Sequence, residues 1–151
     1  LLWLLYFGRA ESGGSRFFRR HSNPSLVAAN SYTYLHVVLV AGIVVIAVAD
    51  ELVLAHPIDA PRQLTLALVY GAPALYLIGN LVFKKSIGAP WLKSHLAGVG
   101  LLVIFGAVVL LSGIQLPALV HSWIANVVLI AVVIGEEIDF RRERSRLRSL
   151  R

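Results

Sequence analysis

The chain has 151 residues, 58% of them hydrophobic and 15% charged, whereas a soluble domain carries about 25% charged residues. Its formal charge of +6 sits in the connectors between apolar runs, which is the pattern of membrane topology and not of a nucleic-acid surface. It has no cysteine, which excludes disulfides, thiolate catalysis and cysteine metal sites.

The chain also lacks methionine and opens inside an apolar run, Leu1 to Phe7. That run covers roughly 10 Å as a helix, against a bilayer core of roughly 30 Å. It reads as the end of a helix begun earlier, and the whole as the C-terminal part of a longer protein. Gly8 to Ser31 is a polar connector with Arg9, Arg16, Arg19 and Arg20. Phe17-Phe18-Arg19-Arg20 suits a membrane surface, and Pro24-Ser25 offers an early helix start.

The first complete span is expected at about 33–55. It is apolar without a break from Val37 to Ala49, with His36 near one end and Asp50 and Glu51 near the other. His56-Pro57 stops it. The second span, about 64–83, contains Pro73, which predicts a kink, and Lys84-Lys85 ends it. The third, about 96–111, carries Gly98, Gly100 and Gly106, each a point of close helix approach. Ser112-Gly113 turns the chain into the fourth, about 117–134. Glu136, Glu137 and Asp139 follow, then the arginine-rich end, a short helix extension or a disordered tail.

Membrane strands alternate apolar and polar residues over about ten positions. These runs are apolar on both parities for longer, so the expected class is all-α. The architecture is a polytopic transmembrane helical bundle of four complete spans plus one partial N-terminal span. A helical domain covers 1–140 and a basic tail 141–151.

Alternating the connectors across the membrane places thirteen of the fourteen basic residues on one side and only Arg62 on the other. By the positive-inside rule, the basic side is cytoplasmic and so is the C-terminus. A missed helix would scramble that count.

Charged groups inside a bilayer mark functional candidates. On a helical wheel Asp50 returns to within roughly 40° of His36, and Glu51 lies about 60° to the other side. His36, Asp50 and Glu51 thus form a polar stripe, either lining a proton or solute route or capping the helix in the headgroup zone. His36 and Glu51 are expected to face the protein interior, against the second span with Tyr70, Tyr76 and Asn80. His56 belongs at the interface, within reach of Glu51 or Asp59. His121 opens the fourth span at that same end. Asn80 and the Ser122–Asn126 pair suit interhelical hydrogen bonds. His95 falls in a connector, where solvation is expected.

His36 and His121 differ in depth, and His56 matches His121 only at the surface, so no haem is expected; a metal site from His56, His121, Asp50 and Glu51 is an equally weak alternative, and no cofactor is expected. No phosphate loop or nucleophile elbow is present, so an enzyme is not expected. The tail arginines, Arg141, Arg142, Arg144, Arg146, Arg148 and Arg151, suit anionic lipids, and Glu137 with Arg141 makes a favourable i, i+4 pair. The expected partners are the lipid bilayer, anionic lipids at this tail and the N-terminal helices of the same protein. A homo-oligomer is compatible, and nucleic acid is not expected.

Trp3-Leu4-Leu5-Tyr6-Phe7, Tyr34-Leu35-His36, Ala41-Gly42-Ile43, Glu51 before His56-Pro57, and Gly71-Ala72-Pro73-Ala74-Leu75-Tyr76-Leu77 with Gly79 and Phe83 occur in order. This series resembles the bacterial low temperature requirement protein A family over Leu1 to Phe83. The remainder fits by hydropathy. The resemblance implies a larger inner-membrane protein and a link to growth in the cold, without catalytic residues to transfer. Its recurring polar positions match His36, Glu51 and His56. Ala49 stands where glycine is expected and Gly8 where an acid is common, and the missing acid argues against a charge relay near Phe7. Two functional classes remain: a transporter or channel for a small solute or ion, and a non-catalytic membrane component for envelope function or assembly in the cold.

Overall fold

The computed structural model describes Leu2, Leu5 and residues 24–86 and 93–148, with side chains at Leu2, Leu5, 34–86, 93–141 and Ser145. Four long helices follow one another: α1 (Pro24–Ala55), α2 (Gln63–Ser86), α3 (Lys93–Ser112) and α4 (Ala118–Arg148). Each contains a stretch long and apolar enough to cross a membrane, and no strand occurs among the described residues. The all-α bundle and the four spans are therefore observed.

Two helices outrun the hydropathy. α1 begins at Pro24, inside the expected connector, because proline suits the first turn, where its missing N–H costs no bond. α4 continues to Arg148, so the tail is a helix extension up to there, and Arg141 Nε donates to Glu137 Oε1 at 2.8 Å. Apolar content sets where a helix crosses lipid, while local capping and pairing set where it ends. The expected surface segment at Phe17–Arg20 and the connector with Gly88, Pro90 and Trp91 lie outside the described residues.

α2 is the central helix. Of its span 67% is buried, against 22% for α1, 28% for α3 and 33% for α4, and it touches all three. The peripheral helices each turn one stripe inward at alternating three- and four-residue steps. On α1 the stripe is Leu39, Gly42, Ile46, Ala49 and Val53; on α3 it is His95, Gly98, Leu102, Gly106 and Val109. Pro73 is buried inside α2, which stays helical through it.

Glycines bring the backbones together. A Cβ built on Gly42 would meet Tyr76 Cβ at 3.3 Å, and one on Gly106 would meet Tyr70 Cβ at 3.0 Å. A Cβ on Gly98 would clash with Val132 Cγ2. Gly100, expected to act likewise, has nothing within 4 Å, because it lies two residues, about 200°, from Gly98 on the wheel. Gly113 makes the α3–α4 turn with φ +66°, a left-handed conformation that suits glycine.

At the end opposite the basic connectors, the α1–α2 loop holds the start of α4. Ala118 N–H donates to the Asp59 carbonyl at 2.9 Å and Leu119 N–H to that of Pro57 at 3.0 Å. Two N–H groups orphaned by the helix start are thereby satisfied. Leu2 and Leu5 are helical. Leu5 is buried in the core, and Tyr76 donates its hydroxyl to the Leu2 carbonyl at 2.7 Å.

Candidate functional site: a polar ring at the basic end of the bundle

Polar side chains of α2 reach its neighbours at two levels. At the basic end, Lys84 Nζ donates to Glu136 Oε1 at 2.6 Å, with Lys84 fully buried and Glu136 only 6% exposed. One turn deeper, His95 Nε2 lies 3.1 Å from Asn80 Oδ1. The amide oxygen accepts, so Nε2 carries the proton. Both residues are fully buried.

Ser94 closes this arrangement. Its Cβ packs so tightly on Gly135 that a Cβ there would come within 3.0 Å. Contacts thus run from Asn80 to His95, through Ser94 to Gly135 and Glu136, then to Lys84 and back along α2. Three helices contribute to the ring. Within it, Asn80 Nδ2 and Ser94 Oγ are buried without a hydrogen-bond partner.

The second level lies near the opposite end. Tyr70 OH and His121 Nδ1 are 3.0 Å apart, the rings edge-on with centroids 6.0 Å apart. Tyr70 and Asn80 are ten residues apart on α2, or roughly 15 Å of rise. The layer between them is apolar, with Leu77 and Leu102 fully buried and Leu129 nearly so. A cavity of about 390 Å³ opens at this end, lined by Leu52, His56, Asp59, Arg62, Thr65 and Ala118 among others.

The expected stripe is not gathered by these helices. His36 is half-buried, whereas Asp50 and Glu51 are exposed. Glu51 lies about 200° from Ala49 on the wheel, on the face away from the inward stripe. The expectation that Glu51 turns inward toward α2 is not met within this chain. His56 is exposed and pairs with Asp59 at 3.2 Å, one of its two expected partners. Asn80 and His121 are buried and bonded across helices, as their type predicts for Asn80. Asn126 differs: its Nδ2 donates to the Ser122 carbonyl at 3.1 Å within α4, since the i, i+4 spacing offers an acceptor on its own helix. His95, expected to be solvated, is buried because it falls on the inward stripe of α3. Of the tail arginines, only the side chain of Arg141 is among those described, and it is exposed.

Lys84, Ser94 and Glu136 were not singled out from the sequence as site residues. The signal was present: Glu136 lies four residues after Val132 and fifteen after His121, at helical spacings that keep all three on one face.

The profile of the family described as bacterial low temperature requirement A protein matches residues 1–134. The chain belongs to that family. It is also similar to an uncharacterized protein of Rhizobium meliloti (strain 1021), with 27% identity over 145 residues, covering 95% of this chain and 34% of that protein. The chain thus spans about a third of the length of the curated relative it matches. No solved structure matches. For this low temperature requirement A protein, the match covers α1 to α3 and α4 as far as Ile134, so it stops just before Glu136. Among the described residues, no three His, Asp or Glu side chains gather as a metal site would need.

Proposed function

We propose that this low temperature requirement A protein takes part in moving a small solute or ion across the bacterial cytoplasmic membrane, with the ring of Asn80, Lys84, His95 and Glu136 as its polar centre. The observation that carries the reading is the buried Lys84–Glu136 pair in a bundle of apolar helices. Ionisable groups within membrane bundles commonly mark substrate and ion paths. For standing alone, such a pair is a poor choice: replacing a buried ion pair with apolar side chains is often neutral or stabilising by about 1–4 kcal/mol.

The apolar layer over Leu77, Leu102 and Leu129 separates the two polar levels, so passage requires α2 to shift against α3 and α4. This layer also favours a second reading, a non-catalytic component whose polar pairs fix helix register. The charge distribution supports a cytoplasmic position for the ring and an anionic lipid contact for the α4 extension. The rest of the full-length protein supplies the cover for Asp50 and Glu51 on α1, because exposed carboxylates near lipid are costly unless paired or hydrated.

The double variant Lys84→Met with Glu136→Leu, made in the full-length protein, separates the readings. Transport predicts lost growth in the cold at normal membrane expression. Growth and expression both at wild-type level would end the transport reading.

A further inference from the structure

We propose that the ring at the basic end binds a small monovalent anion, held by the Asn80 side-chain amide, the Ser94 hydroxyl and the start of α3. The proposal rests on the transport reading for its role and names the substrate class. Three observations point the same way. First, two of the buried groups without a partner can donate: Asn80 Nδ2 offers two N–H bonds and Ser94 Oγ one O–H. Asn80 is fully buried, where an unsatisfied amide costs its whole desolvation penalty. A group that accepts hydrogen bonds removes that cost.

Second, Ser94 and His95 stand in the first turn of α3, a helix of 20 residues. The first N–H groups of a helix lack intrahelical acceptors, and its dipole favours negative charge there. Third, the local charge is positive. Within the ring Lys84 is matched by Glu136, and Lys85 and Lys93, next in sequence to Lys84 and Ser94, add two further positive charges at this end. Glu137, one residue on, is exposed and held by Arg141 at 2.8 Å. Glu136 itself shows that Lys84 accepts an anionic partner at this depth. An added anion therefore competes with that carboxylate for Lys84.

The competition gives the proposal a sign. Glu136→Gln keeps the shape and removes the competing charge, so anion binding tightens. Ser94→Ala removes one donor to a charged group, a loss of about tenfold in affinity, and leaves the Ser94 Cβ packing on Gly135 intact.

The experiment uses full-length protein purified in detergent. Sodium chloride replaces sodium gluconate at constant ionic strength while the thermal midpoint is followed. The expected result is a saturable rise in the midpoint, needing about tenfold more chloride in Ser94→Ala and less in Glu136→Gln. No saturable rise, or equal responses in wild type and Ser94→Ala, overturns the site and leaves Asn80 and Ser94 to a buried water. A response in Glu136→Gln that is weaker than wild type also overturns it. Chloride flux into liposomes separates the two claims. Binding without flux supports the site and ends the transport reading, whereas loss of cold growth in the double variant without chloride binding does the reverse.

Discussion

Lys84 lies in the last turn of α2 and is fully buried, and its Nζ donates to Glu136 Oε1 at 2.6 Å. Removing either partner alone takes this short bond from a buried group, whose desolvation is then less well offset. Lys84→Met is expected to destabilise the protein by about 3–5 kcal/mol, as breaking buried pairs does. Adding Glu136→Leu should return most of that loss. Denaturation of the purified protein in detergent checks both, and the decisive outcome is recovery in the double variant. If both variants lose stability equally, the pair is not coupled and Lys84 is held by other contacts. The exposed pairs offer a contrast. His56–Asp59 and Arg141–Glu137 are open to solvent, where such pairs are worth about 0–1 kcal/mol, and substitutions there should leave stability nearly unchanged.

At the scale of the helix, close packing on α2 depends on which glycines face it. Gly98 meets Val132 and Leu77, and Gly106 meets Tyr70. Val132 is β-branched and stiff, so it cannot swing away from an added methyl. Gly98→Ala is expected to cost about 1–3 kcal/mol by overpacking, and Gly106→Ala to act in the same direction. Gly100→Ala meets open space and should be neutral or stabilising by up to about 1 kcal/mol from helix propensity. Thermal midpoints of the three variants test this, and equal effects at Gly98 and Gly100 would refute the packing account. The element pattern was legible in the sequence because hydropathy reports spans directly. The interior faces were less so. His36 and Glu51 suggest one inward side for α1, whereas Gly42 and Ala49 mark the buried stripe and place Glu51 outward. On α3 and α4 the small-residue stripe runs straight through His95 and Glu136. Those two were hidden because they sit at span ends, where polar groups are common and burial depends on neighbouring helices.

Across the whole molecule, four antiparallel crossings put Lys84, Lys93 and the α4 extension at one end and Arg62 at the other. The family match agrees with the resemblance read from ordered blocks such as Gly71 to Leu77, and extends it to residue 134. What sequence periodicity did not convey is that α2 is the hub, because burial of one helix depends on three others packing around it. The topology makes a prediction of its own. These 151 residues contain no cysteine, so a single thiol introduced here, in a full-length protein cleared of any cysteine elsewhere, reports its side without background. Asp59→Cys, in the exposed α1–α2 loop, is expected to react in intact cells with a maleimide that cannot cross the membrane. Ser145→Cys, exposed on the α4 extension, should react only after the cells are opened, since positive charge is retained on the cytoplasmic side. The reverse pattern would invert the bundle and place the ring of Asn80, Lys84, His95 and Glu136 at the outer face. Labelling of both positions in intact cells would contradict this topology, because three crossings, α2, α3 and α4, separate Asp59 from Ser145, and that odd number requires opposite sides.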